Sequence, residues 1–198
     1  MRPGSRGPQP RIGLKSNSAR QLQILRDEYA VQQHLALAGR LHQAAALLEM
    51  RRDGLAAYQP HPSLLGPSLR ELQAEIDQLS EWSIDLQNLS PIELCRLSRK
   101  YGNDSELLTL TEAASYFRSG QIERGRDHYV MALMKAESRS IRARCLTSLA
   151  AIHYSEGDYA AARSFSGAAI QENPGLRLVQ ENNRKIERNT QEYRSDKV

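Results

Sequence analysis

The stretch ARCLTSLAAIHYSEGDYAAARSFSGAAIQENPGL, residues 143–176, decides the fold. Leu146, Leu149 and Ala150 share one face of a first helix, and Tyr154 lies near its end. Gly157-Asp158-Tyr159 makes a turn, after which Ala162, Ala169 and Ile170 supply the apolar side of a second helix. Pro174 closes the unit. Small Ala150 and Ala162 let two antiparallel helices approach, while Leu149 and Tyr159 fill the space around them.

A weaker copy precedes it over residues 106–139, with Ala113, Tyr116, Gly120, Ile122, Tyr129, Ala132 and Leu133 in register. Gly120 and Gly157 stand 37 residues apart, a period that points to stacked helical repeats. The two units resemble tetratricopeptide repeats. The second departs from that pattern at Leu146, His153 and Ser166, beside which Phe165 offers a substitute aromatic; the first departs at Gly125 and Glu137. A degenerate third unit around Ala38-Gly39-Arg40-Leu41 and Ala44 carries no weight. The resemblance implies an all-α fold, an antiparallel helix-hairpin solenoid preceded by an N-terminal helical segment. The polar helix from about Leu176, with Leu176, Val179, Ile186 and Tyr193 as its sparse apolar stripe, would cap it.

The same resemblance implies a non-catalytic protein-interaction module or adaptor. The first helix of each repeat would line a groove for a partner protein or peptide segment. Carried onto this chain, that face holds Leu107, Leu110, Ala114, Phe117 and Arg118 from one unit and Arg144, Thr147, Ala151 and Tyr154 from the next. Family members that clamp acidic chaperone tails carry Lys and Asn there. Leu110, Ala114 and Thr147 stand at these positions instead, so such a clamp is not expected. The competing reading is that several of these residues pack on the preceding acidic helix.

Working outward, three regions are expected: a basic disordered tail over 1–17, a helical region over 18–102, and the repeats with their cap over 103–198. The tail is rich in Gly, Pro, Ser and Arg, and its prolines and glycines oppose a transit-peptide helix. Leu22, Leu25, Tyr29 and Ala36 predict a helix with one buried face, ended by Gly39. Ala44, Ala45, Leu47 and Leu48 predict its hairpin partner, and Gln59-Pro60-His61-Pro62 breaks the pattern. Ser68-Leu69-Arg70-Glu71 is a capping box opening a helix with Leu72, Ile76 and Leu79 on its stripe, continued by Trp82, Leu86 and Leu89. Ser90-Pro91-Ile92-Glu93 opens another, ending near Gly102.

The chain has 198 residues, a net charge of +4 and two cysteines, Cys95 and Cys145, in no metal-binding or redox spacing. A reducing, cytoplasmic setting is the simplest expectation. No run of ~20 apolar residues occurs, so no membrane span is expected. No phosphate-binding glycine motif appears, and no two of the five histidines stand i, i+4. Enzyme activity, cofactors and metals are therefore not expected. The alternative is a nucleic-acid-associated regulator using the basic tail. A helix-turn-helix over Cys95–Gly102 would put Asp104 and Glu106 against DNA phosphates, which is electrostatically wrong.

Residues 71–93 hold six acidic and no basic residues, whereas Arg118, Arg124, Arg126, Lys135, Arg139, Arg142 and Arg144 crowd residues 118–144. The blocks are expected to face each other, within one chain or between two copies in a homo-oligomer. Surface ion pairs contribute only ~0–1 kcal/mol, so the apolar seam Leu69, Leu72, Ile76 and Leu79 should dominate the energetics. Leu72→Asp with Ile76→Asp is expected to lower the melting temperature or abolish folding, while Glu75→Gln with Asp77→Asn leaves it within a few degrees. Thermal melts that rank the two double variants the other way would remove the seam argument.

Overall fold

The structure, a computed structural model, describes residues 14–51, 66–80 and 83–195. Among them it has eight helices and no strand. These are α1 (Leu14–Arg51), α2 (Leu69–Leu79), α3 (Pro91–Lys100), α4 (Glu106–Arg118), α5 (Ile122–Lys135), α6 (Arg139–Ser155), α7 (Tyr159–Glu172) and α8 (Arg177–Ser195).

The expected N-terminal hairpin is replaced by a single helix. α1 runs through Gly39 for 38 residues. A helix-interior glycine costs only about 1 kcal/mol. The burial of Leu37, Ala38, Leu41, Ala44 and Ala45 around it offsets that cost. The glycines that do turn the chain are Gly102, Gly120 and Gly157, each at positive φ. α1 also begins inside the stretch read as a tail. Residues 1–13, and the break at residues 59–62, lie outside the described residues.

α2 and α3 open with the expected capping boxes. The Ser68 and Ser90 hydroxyls accept from the Glu71 and Glu93 amides, and those carboxylates accept in return from the serine amides. α2 stops at Leu79, however, and does not continue to Leu89. Leu86 is fully buried all the same, delivered by a loop that Gln73 holds. The Gln73 amide donates to the Ile84 carbonyl at 2.7 Å and accepts from the Leu86 amide at 3.0 Å. Trp82 lies outside the described residues.

α2 packs on α1, where Arg40 pairs with Glu75, and its backbone does not closely approach α4 to α8. Among the described residues, therefore, the acidic helix α2 does not lie along the basic block. The basic block pairs elsewhere: Arg118 with Glu49, Arg126 with Glu123 and Glu156, Lys135 with Asp104, and Arg139 and Arg142 with Glu172. Leu69, Leu72 and Ile76 are buried in a core shared with Leu37, Leu41, Leu94, Cys95 and Leu108. The α2 seam is internal.

From α4 onward, α4 packs on α5, α5 on α6, α6 on α7, and α8 on both α7 and α6. Some positions 37 residues apart share their burial. Ala113 and Ala150 are both fully buried, as are Ala132 and Ala169. Tyr116 meets His128 across the first hairpin with ring centroids 4.7 Å apart, and His153 meets Phe165 across the second at 5.2 Å. Ser166 is buried and donates to Asn183 on α8 at 2.8 Å.

Gly125 and Ala162 also correspond, and the structure explains the difference between them. A Cβ on Gly125 would stand 3.0 Å from the Phe117 backbone nitrogen and 3.1 Å from its Cα. Those atoms belong to the facing helix backbone and have little freedom to retreat. Gly125→Ala is therefore expected to lower the melting temperature, although alanine gains about 1 kcal/mol of helix propensity. Gly167, inside α7 with nothing within 4 Å of a Cβ, is the control: Gly167→Ala should raise it. Calorimetry of both variants checks the pair.

Candidate partner-binding surfaces

The residues expected to line a groove fall into two groups that the fold separates. On α4, Leu110 and Ala114 are buried in the core between α4, α5 and α6, and half-buried Leu107 and Phe117 pack against it. They do not lie on the acidic α2. Arg118 is directed to the end of α1, where its guanidinium donates to the Glu49 carbonyl at 2.7 Å and its Nε stands 3.4 Å from the Glu49 carboxylate.

On α6, Arg144, Thr147, Ala151 and Tyr154 follow one face. That face opens along its length: Arg144 and Thr147 are buried, while Ala151 and Tyr154 are half-buried. The Thr147 hydroxyl donates to the Ala143 carbonyl at 2.7 Å, so it brings its own acceptor with it. Tyr154 meets Tyr159 edge to face at 5.4 Å.

α4 has no open face at all. Leu108 through Tyr116 are buried without interruption. As a recognition helix entering a DNA groove it has nothing to present. Its hydroxyls are satisfied locally: Thr109, Thr111 and Ser115 donate to the carbonyls of Ser105, Leu107 and Thr111. Glu112 accepts from Arg99 of α3 at 2.8 Å, and His128 of α5 stands 3.7 Å away.

Two features escaped the sequence reading. One is the polar contact between α1 and α4. His42 is buried, with Nε2 2.9 Å from the Thr111 hydroxyl. That hydroxyl donates to the Leu107 carbonyl, so it accepts from the imidazole N–H. The signal was there in His42 and Glu49, polar residues set within and just after the apolar run Leu41 to Leu48. The other feature is the first half of α1. Leu22, Leu25 and Tyr29, expected to be buried, are 58%, 60% and 64% exposed. Ile24, Val31 and Leu35 are exposed as well. The hairpin that would have covered them does not form.

Among the described residues no group of three or more His, Cys, Asp or Glu is placed to hold a metal ion, and no helix is long and apolar enough to cross a membrane. No family model, curated protein or solved structure matches the chain.

Burial depresses the His42 pKa from 6.5 to about 4. The unfolded chain takes up this proton below pH 6.5, and the native chain does not until about pH 4. Stability is thus retained above pH 6.5 and lost as pH falls through that window. At about 1.4 kcal/mol per unit the loss is about 3 kcal/mol. Between pH 7 and pH 4.5, denaturant unfolding should show the native chain losing about 2–3 kcal/mol more than His42→Gln. Equal losses would place the acid sensitivity elsewhere.

Proposed function

We propose that this chain is a non-catalytic protein-interaction module of the tetratricopeptide-like kind, holding a partner segment against its helical-repeat surface. The observation that carries the reading is the recurrence of one hairpin at a 37-residue step. The turns at Gly120 and Gly157 share φ +81. The Tyr116–His128 and His153–Phe165 ring pairs occupy corresponding places. α8 begins close to where a third step would fall and lies on α6 and α7 as the first helix of another unit would. Stacked units of this type present the faces of their first helices as one extended surface.

Because the α4 residues belong to the core, the α6 face is the part of that surface left for a partner. Its half-buried end at Ala151 and Tyr154 offers an aromatic anchor beside a small residue, a combination suited to a side-chain pocket. Metal or acid–base chemistry has no assembled residues behind it on this surface. Tail-driven nucleic-acid binding gains no support from the folded part.

The test is affinity capture with the full chain, comparing the native protein with Ala151→Arg and Tyr154→Ala after matching their thermal melts. A reproducible protein partner whose affinity falls at least tenfold in Ala151→Arg supports the reading. A partner retained at full affinity by both variants would remove the α6 face from it.

A further inference from the structure

Over residues 22–35, α1 carries six of the nine large apolar side chains exposed among the described residues: Leu22, Ile24, Leu25, Tyr29, Val31 and Leu35. Leu22, Leu25, Tyr29, Gln32, Ala36 and Gly39 follow one another at alternating steps of three and four, the spacing of a coiled-coil seam. This seam lies round the helix from the buried Leu37, Leu41, Ala44 and Ala45, and so on the side away from the core.

We propose that this seam pairs with the same seam of a second copy of the chain, the two α1 helices running antiparallel. Shape argues for the self-match. In an antiparallel register that sets Leu25 opposite Ala36, Leu22 falls opposite Gly39 and Tyr29 opposite Gln32. The two-fold axis repeats every pair. Each outer layer then sets a large side chain against a small one, the arrangement that lets facing helices interdigitate. Gly39 has nothing within 4 Å of the place a Cβ would take, so the slot for the partner's Leu22 is open. A parallel pair would stack Leu22 on Leu22 and leave a gap where two Gly39 residues meet. The central layer is polar at Tyr29 and Gln32, whose phenol and amide can hydrogen-bond across the axis and fix the register.

The seam is short. Covering Leu22, Leu25 and Tyr29, with Leu35 at its border, on each of two copies removes on the order of 900 Å² from water, the size of a weak, reversible pairing. Ile24 and Val31 stand about 100° round the helix from Leu25 and Gln32, outside the contact. α4 to α8 take no part, so binding of a partner on the α6 face stands or falls separately.

The experiment is sedimentation equilibrium of the full chain across micromolar concentrations. A dimer is expected. Leu25→Asp, at an exposed position, should leave the helical circular dichroism and the melting of the body unchanged while weakening the dimer at least tenfold. Gly39→Leu, which fills the slot without touching the chain's own atoms, should do the same. Orientation is read by cross-linking: cysteines at positions 25 and 36 on separate copies should join, because native Cys95 and Cys145 are buried and do not compete. A monomer at all concentrations overturns the proposal. So does a dimer that survives both variants, an assembly larger than two, or cross-linking of position 25 to itself in preference to 36.

Discussion

A helix with no face left to water is the constraint on which this architecture depends. α4 buries nine consecutive residues, and a helix turns through every direction in four. It must therefore have neighbours all round, and α1, α3, α5 and α6 supply them. It must also satisfy every polar group it takes inside, since a buried donor or acceptor left unpaired costs ~1–3 kcal/mol. Three hydroxyls turn back onto α4's own carbonyls, which needs no neighbour. His42 and Arg99 reach in from α1 and α3 to meet Thr111 and Glu112. These two contacts tie the N-terminal helices to α4, and hence to the hairpins beyond it. Ser98 adds a third bond in the same region, donating to the Ala38 carbonyl at 2.6 Å where α3 and α1 pass closely.

How much of this was legible follows from the range over which each signal acts. Caps and glycine turns are decided within four or five residues, and those at Ser68, Ser90, Gly120 and Gly157 stand where the local chemistry puts them. The small residues Ala150 and Ala162 are buried together with Ile186 because small side chains at those positions permit one close approach and little else. Gly39 failed as a stop because its cost in a helix is small beside the burial of Leu41 and Ala45, which involves α2 and α3 from beyond residue 68. The end of α2 failed for a similar reason. Gln73 provides by side chain the hydrogen bonds that further helical turns would have provided by backbone.

The candidate surface was less legible than the fold. A periodic apolar face looks the same in sequence whether it lines a groove or fills a core. On α4 the face Leu107, Leu110, Ala114 and Phe117 went into the core between two hairpins. On α6 the corresponding positions became Arg144, Thr147, Ala151 and Tyr154, a set too polar to be pure core, and its end stays partly open. Within the chain the charge blocks stay apart for a different reason. Opposite blocks separated in sequence attract only if the fold brings them within a Debye length, and here nearer partners such as Glu49, Asp104 and Glu172 took the arginines and Lys135 first.

The unbroken course of α1 has a consequence for how the molecule exchanges its amide hydrogens. One helix spans two regimes. From Leu37 onward its backbone bonds are locked beneath α2, α3 and α4, and can open only when that core opens. Before Leu37, where His34 and Leu35 still touch the end of α3 at Tyr101 and Gly102, they come to rest mainly on helix propensity, and each turn frays at little cost in free energy. Protection should therefore fall by orders of magnitude along a single element, with the step near Leu37 and no change of secondary structure to mark it. Whatever covers the first half of α1 would move that step toward the N-terminus, and the residue at which protection begins would then measure the extent of the contact.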